Sequence, residues 1–112
     1  MLIIGESING TIQKVGEAIL NRNGTFLREL AKAQYEYGAN ILDVNAGVAR
    51  GVEEKDLPWL IETVQKEVPI PLMIDSANPE ALRAALSIYC HKEPPIVNSI
   101  SGKEKNGINF SL

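Results

Sequence analysis

Apolar residues along the chain alternate between short continuous runs and stripes at helical spacing. Leu2-Ile3-Ile4 is a β-branched run halted by Gly5, the pattern of a buried parallel strand rather than a half-exposed one. Ile12, Val15, Ile19 and Leu20 keep helical spacing and predict a helix over residues 12–21, broken by Asn21-Arg22-Asn23-Gly24. Thr25 can cap a second helix whose face carries Leu27, Leu30, Ala31 and Gln34, with Gly38 at the left-handed position that ends it. Residues 40–44 read as a second strand running into the turn Asn45-Ala46-Gly47. A polar loop follows from Arg50 to Lys55. Pro58 then suits the first turn of a helix with Leu57, Leu60, Ile61, Val64 and Val68 on its apolar face, and Pro69 and Pro71 end it. Leu72-Met73-Ile74-Asp75 is a third strand. Asn78-Pro79-Glu80 opens a helix with a capping side chain, an N-terminal proline and an acid at the positive dipole end, and Leu82, Ala85, Leu86 and Tyr89 supply its stripe. Pro95-Ile96-Val97-Asn98 is a fourth strand, and Ser101 and Glu104 have capping-box spacing for one more helix before Asn106-Gly107 interrupts it.

Strands separated by helices imply right-handed crossovers and a parallel sheet covered by helices. The strand starts, at Leu2, Asn40, Leu72 and Ile96, recur with the rhythm of a (β/α) barrel, a rhythm that a doubly wound open sheet shares. Four units are half of the eight that close a barrel, against a typical length of ~250 residues, so the expected fold is α/β: the N-terminal half of a TIM (β/α)8 barrel, with residues 1–112 as one partial domain truncated at its C-terminal side.

Composition narrows the function classes. The chain has 112 residues, 45% of them hydrophobic and 22% charged, which argues against disorder. Eleven basic and fourteen acidic residues give a net charge of −3 without any basic run, so a nucleic-acid stripe is not expected. No apolar stretch approaches the roughly 18 residues that span a bilayer, and MLIIGES lacks the basic and long apolar regions of a signal peptide. The single cysteine, Cys90, has no internal disulfide partner, and no Cys/His cluster suggests a metal. A soluble, cytoplasmic protein is the expectation.

The informative polar residues stand where strands end. The first strand runs into Gly5-Glu6-Ser7-Ile8-Asn9, the second carries Asp43 and Asn45, the third closes on Asp75-Ser76 and the fourth on Asn98-Ser99. Ligands of parallel α/β folds bind at the C-terminal ends of strands, so these groups can converge on one pocket. Carboxylates and carboxamides without any cation suit a neutral heterocycle that offers several N–H donors and one or two acceptors. They suit a phosphate ester poorly, and GESINGT is not a phosphate-cradling GxGxxG loop. Each residue also has a plainer reading. Asp75 can cap the following turn, Asn98 and Asn45 are common turn formers, Asp43 can be a buried hydrogen-bond hub, and Glu6 and Asn9 can hold the first loop. Asp43 and Asp75 can in principle hold a divalent cation, although two acids make a thin ligand set. His91 reads as a solvated surface residue, Cys90 as buried filler rather than a nucleophile, and Trp59 and the tyrosines as packing residues.

Four segments in order, LIIGESIN at 2–9, GANILDVNAG at 38–47, PLMIDSANPEAL at 71–82 and PIVNSISGKEK at 95–105, resemble the pterin-binding barrel family. The likeness is to the methyltetrahydrofolate:corrinoid/iron–sulfur protein methyltransferases and the folate domain of cobalamin-dependent methionine synthase, and it covers the N-terminal half of that barrel. The related dihydropteroate synthases carry an Asn-x-x-Pro-Asp-Ser-Phe-Ser first loop and Gly-Gly-Glu-Ser after strand two, where this chain has GESINGT and LDVNAG. The resemblance implies that Asp75 accepts from the amino group and ring N–H of a pterin and that Asn98 contacts the same ring. It places Glu6 and Asn9 near the folate, and Asp43 and Asn45 along the floor of the site. It further implies methyl transfer between N5 of methyltetrahydrofolate and a corrinoid carried on a partner protein, in either direction. No catalytic residue is identified. The later strands, which in the family contribute another pterin-contacting Asp and the Asn near N5, are absent, so activity of the chain alone stays open. A homo-oligomer or a complementary half-barrel is a possible partner. The alternatives are a dihydropteroate synthase-like enzyme of folate biosynthesis, or a non-catalytic fragment that acts as an assembly module.

Overall fold

A computed structural model describes residues 1–47 and 52–98. The element order is β1 (Ile4–Asn9), α1 (Gln13–Leu20), α2 (Gly24–Glu36), β2 (Ile41–Asn45), α3 (Glu53–Val64), β3 (Leu72–Asp75), α4 (Pro79–Ile88) and β4 (Ile96–Asn98). The four strands form one parallel sheet in the order β1-β2-β3-β4. The fifth helix expected from Ser101 and Glu104 lies outside the described residues.

Sequential strand order separates the two candidate architectures. A doubly wound sheet reverses its order at a switch point and carries helices on both faces. Here the order never reverses, and one core cluster gathers buried residues of all four helices onto alternate strand residues. Leu42, Val44, Leu72 and Ile74 are fully buried in it, with Leu27, Ala31, Leu57, Leu60, Ile61, Val64, Ala81 and Ala85 from the helices. Ile41 and Met73, one position off in each strand, are buried but stand outside that cluster. Alternating β/α units with helices on a single face are the arrangement of half a TIM barrel.

Several element boundaries differ from the sequence reading. Gly5 does not stop β1, which starts at Ile4 and runs to Asn9, while Leu2 and Ile3 are exposed. The reason lies in α2. A side chain at Gly5 would sit 2.4 Å from Oε1 of Gln34, whose carboxamide accepts from the Ser7 N–H at 3.1 Å and donates to Ser7 Oγ at 3.0 Å. Gly5 therefore makes room for a helix side chain inside a strand. Gly5 pairs with Leu42 but Ile8 with Val44, so one extra residue bulges from β1.

Asn23 rather than Thr25 caps α2, its side chain accepting from the Phe26 N–H at 3.2 Å. Gly38 takes φ 103° after that helix, as its position predicts. Helix α3 begins at Glu53, within the segment read as a polar loop, so Pro58 lies inside the helix instead of at its start. Glu53, Glu54 and Asp56 in the first turn favour that start electrostatically. The buried face of α4 centres on Ala81 and Ala85, and Leu86 is exposed, because small residues let α4 pack closely on α3. Gln65, buried just beyond α3, donates to the Ile88 carbonyl and accepts from the Cys90 N–H, both at 3.0 Å, which joins the ends of α3 and α4. His91 is half-buried against the Gln65 carbonyl rather than solvated, and Cys90 is exposed rather than buried. Tyr35 and Tyr37 are exposed, whereas Trp59 and Tyr89 pack on the core. Among the described residues no helix is long and apolar enough to cross a membrane.

Candidate functional site

Strand register decides which polar side chains meet. Asn9 is the partner of Asn45, and Asp75 is the partner of Asn98. Val44 pairs with Ile74, so one step further along the strands Asn45 falls level with Asp75. Asn9, Asn45, Asp75 and Asn98 therefore make one row across all four strands at their C-terminal ends. Side chains alternate between faces along a strand. Since Val44 and Ile74 point into the helices, this row lies on the other face, which is helix-free among the described residues. The β1 bulge is what admits Asn9: the extra residue turns Ile8, fully buried, toward the helices and leaves the next position for the row.

A second layer lies two residues nearer the strand starts. Asp43 is level with Met73, and Met73 with Ile96. Glu6 follows Gly5, whose open side faces Gln34 of α2, so Glu6 belongs to the helix-free face and is exposed. The six residues singled out in the sequence thus share one face, with Asn9, Asn45, Asp75 and Asn98 at the rim and Asp43 and Glu6 deeper.

Hydrogen bonds set what the rim offers. Asn9 Oδ1 accepts from the Thr11 N–H at 2.9 Å and Thr11 Oγ1 at 2.7 Å, and Asn45 Oδ1 accepts from the Gly47 N–H at 2.8 Å. Both oxygens are turned back to their own loops, so these carboxamides present their NH2 groups as donors. Asn98 Oδ1 is buried and accepts no hydrogen bond from the described residues, a costly arrangement that a donor on a ligand relieves. Asp75 adds a carboxylate acceptor. The rim thereby combines donors and acceptors without a cation, the complement of a flat nitrogen heterocycle. No group of three or more His, Cys, Asp or Glu placed to hold a metal occurs among the described residues.

Loops beyond the rim cross at very close range. The Gly10 N–H donates to the Asn45 carbonyl at 2.7 Å, and a Cβ on Gly10 would lie 1.9 Å from the Ala46 carbonyl oxygen. Gly47 opposite takes φ 75°. Two glycines thus hold the β1 and β2 loops together at the mouth of the site.

Sequence reading missed two contributors, Gln34 and Glu53, and named Ser76 only as a strand-end polar residue. Gln34 sets the bulge, and Ser76 and Glu53 share a 2.6 Å hydrogen bond beside Asp75. Glu53 carried a legible signal, because it extends the Leu57, Leu60, Ile61, Val64 stripe backward by one turn.

Comparison with known proteins bears on this arrangement. Residues 5–111 match the family described as pterin binding enzyme. Over 103 residues the chain is 46% identical to the methylcorrinoid:tetrahydrofolate methyltransferase of Eubacterium limosum, an alignment that covers 92% of this chain and 37% of that protein.

Proposed function

Since this chain belongs to the pterin-binding enzyme family, we propose that its strand-end row grips the pterin ring of a folate, as one wall of a methyltransferase site. The observation that carries the reading is the level placement of Asn9, Asn45, Asp75 and Asn98 on the helix-free face. In this reading the Asp75 carboxylate accepts from the pterin amino group and adjacent ring N–H. Buried Asn98 Oδ1 takes a further donor on the same ring, and the Asn9 and Asn45 NH2 groups meet ring acceptors. Asp43 and Glu6 line the deeper layer.

The reaction is methyl transfer between N5 of the folate and a corrinoid protein. A corrinoid, when bound, supplies the cobalt that gives up or receives the methyl group. In the direction named for the Eubacterium limosum relative, N5 must present its lone pair to the methyl carbon and then shed its proton. In the opposite direction, a hydrogen bond or proton at N5 makes the methyl a better electrophile. Holding the ring rigidly supplies the positional part of the rate enhancement. The chain spans 37% of the relative's length, and we assign it to the first half of the barrel.

Isothermal titration of the folded chain with 5-methyltetrahydrofolate tests the reading. Wild type is expected to bind. Asp75→Ala removes a charged acceptor of two N–H groups and should cost about 2 kcal/mol or more, roughly 30-fold in affinity. Folded wild type without heat of binding, or Asp75→Ala with unchanged affinity, refutes it.

A further inference from the structure

The turn between β3 and α4 contains a junction that pterin recognition does not itself use. Ser76, immediately after Asp75, is 5% exposed, and its Oγ donates at 2.6 Å to Oε2 of Glu53, which is 7% exposed. The same hydroxyl oxygen accepts from the Asn78 N–H at 3.0 Å. The Ser76 N–H in turn donates to the Asn98 carbonyl at 3.0 Å. One serine therefore joins the end of β3, the end of β4, the first residue of α3 and the cap of α4. Glu54 reinforces the same turn by accepting from the Asn78 side-chain amide.

The chemistry of this junction exceeds what closing a turn requires. A carboxylate shielded from water is costly unless it is paired. Glu53 meets that cost with a charge-assisted hydroxyl bond, of the short and directional kind, and with its place at the positive end of α3. Its side-chain donor among the described residues, Ser76, separates the Asp75 carboxylate from the α4 cap and bonds the backbone of Asn98. We propose that Glu53, acting through Ser76, is a positioning residue for the pair Asp75 and Asn98: it fixes the backbone from which both side chains reach the ligand. The inference rests on the pterin reading above.

The test is titration with 5-methyltetrahydrofolate of wild type, Ser76→Ala, Glu53→Ala, Glu53→Gln and Val64→Ala, each with its thermal midpoint. Val64 is fully buried at the far end of α3 and reports general loss of stability. Ser76→Ala and Glu53→Ala should each weaken binding about tenfold. Glu53→Gln, whose carboxamide oxygen still accepts from Ser76, should recover affinity to within about threefold of wild type. Val64→Ala should lower the midpoint and leave affinity unchanged. Where Glu53→Ala does not fold, the double variant Glu53→Ala/Ser76→Ala, which removes acceptor and donor together, takes its place with the same expected loss. Wild-type affinity in Ser76→Ala, an equal loss in Val64→Ala, or no recovery in Glu53→Gln overturns the inference. If wild type binds and Asp75→Ala does not, any of those outcomes defeats the positioning role alone. Failure of wild type to bind defeats the pterin reading and this inference with it.

Discussion

Gly10→Ala is the sharpest single perturbation of the site that leaves its polar side chains untouched. A Cβ at this position would lie 1.9 Å from the Ala46 carbonyl oxygen, 2.4 Å from its carbon and 2.9 Å from the Gly47 nitrogen. All three are backbone atoms, so no side chain can rotate away. The β1 and β2 loops must separate by more than an ångström's worth of overlap, which breaks the 2.7 Å bond from the Gly10 N–H to the Asn45 carbonyl. Overpacking costs about 1–3 kcal/mol and the lost bond adds about 1 kcal/mol, so a destabilisation of about 2–4 kcal/mol is expected. In a domain of this size that lowers the thermal midpoint by roughly 10 °C or more. Because the loops spread beside Asn9 and Asn45, folate affinity should fall as well. Gly24→Ala is the matched control. There the new methyl meets the Arg28 guanidinium at 2.7 Å, a flexible end that can move, and Thr63 Cγ2 at 3.4 Å. The change should be neutral or stabilise the first turn of α2 by about 0.5 kcal/mol. Thermal denaturation followed by circular dichroism measures both. A Gly10→Ala midpoint no lower than that of Gly24→Ala would refute the close-approach argument.

Two further outcomes are expected. Asn78→Ala removes a cap that accepts from the Glu80 N–H at 3.0 Å and the Ala81 N–H at 3.2 Å, and should cost about 1–2 kcal/mol in denaturant unfolding; a loss within error of zero would show that the cap is redundant. Burial raises the Tyr89 phenol above its ordinary pKa of 10.0, against a lowering by its bond from the Leu72 N–H, so the folded state holds this proton more tightly than the unfolded chain. The resulting stability is complete below pH 10.0 and is lost as pH rises through the higher folded value, which ultraviolet titration should show as a late-ionising phenol that vanishes in Tyr89→Phe. A Tyr89-dependent phenol signal that ionises at or below pH 10.0 would contradict this.

Local signals in the sequence sufficed where each element is decided by its own residues. The apolar run of β3 ends on Asp75, and Asn78-Pro79-Glu80 starts α4, as read. The fold rhythm and the strand-end placement of Asn45, Asp75 and Asn98 were legible for the same reason, whereas Glu6, read in a loop, lies inside β1. Boundaries decided by distant partners were not. Gly5 looks like a stop until Gln34 of α2 is placed against it, and the β1 bulge that follows has no local signature. Pro58 looks like a helix start. In α3 its missing N–H forfeits one bond to the Glu54 carbonyl, a loss outweighed by burial of Leu57, Leu60, Ile61 and Val64 on one face. The Glu53–Ser76 pair joins residues 23 apart in sequence, and only the packing of α3 against the β3–α4 turn brings them together.

The confinement of all four helices to one side of the sheet divides labour between odd and even strand positions. Leu42, Val44, Leu72 and Ile74 carry the packing against the helices, while the residues interleaved with them, Asp43, Asn45, Met73 and Asp75, stand outside that cluster. Ligand preference in such a scaffold can drift by exchanging every second residue, with the packed cluster untouched. The same parity makes a single-residue deletion in a strand far more damaging than any substitution there, because it would swap the greasy and the chemical faces at a stroke.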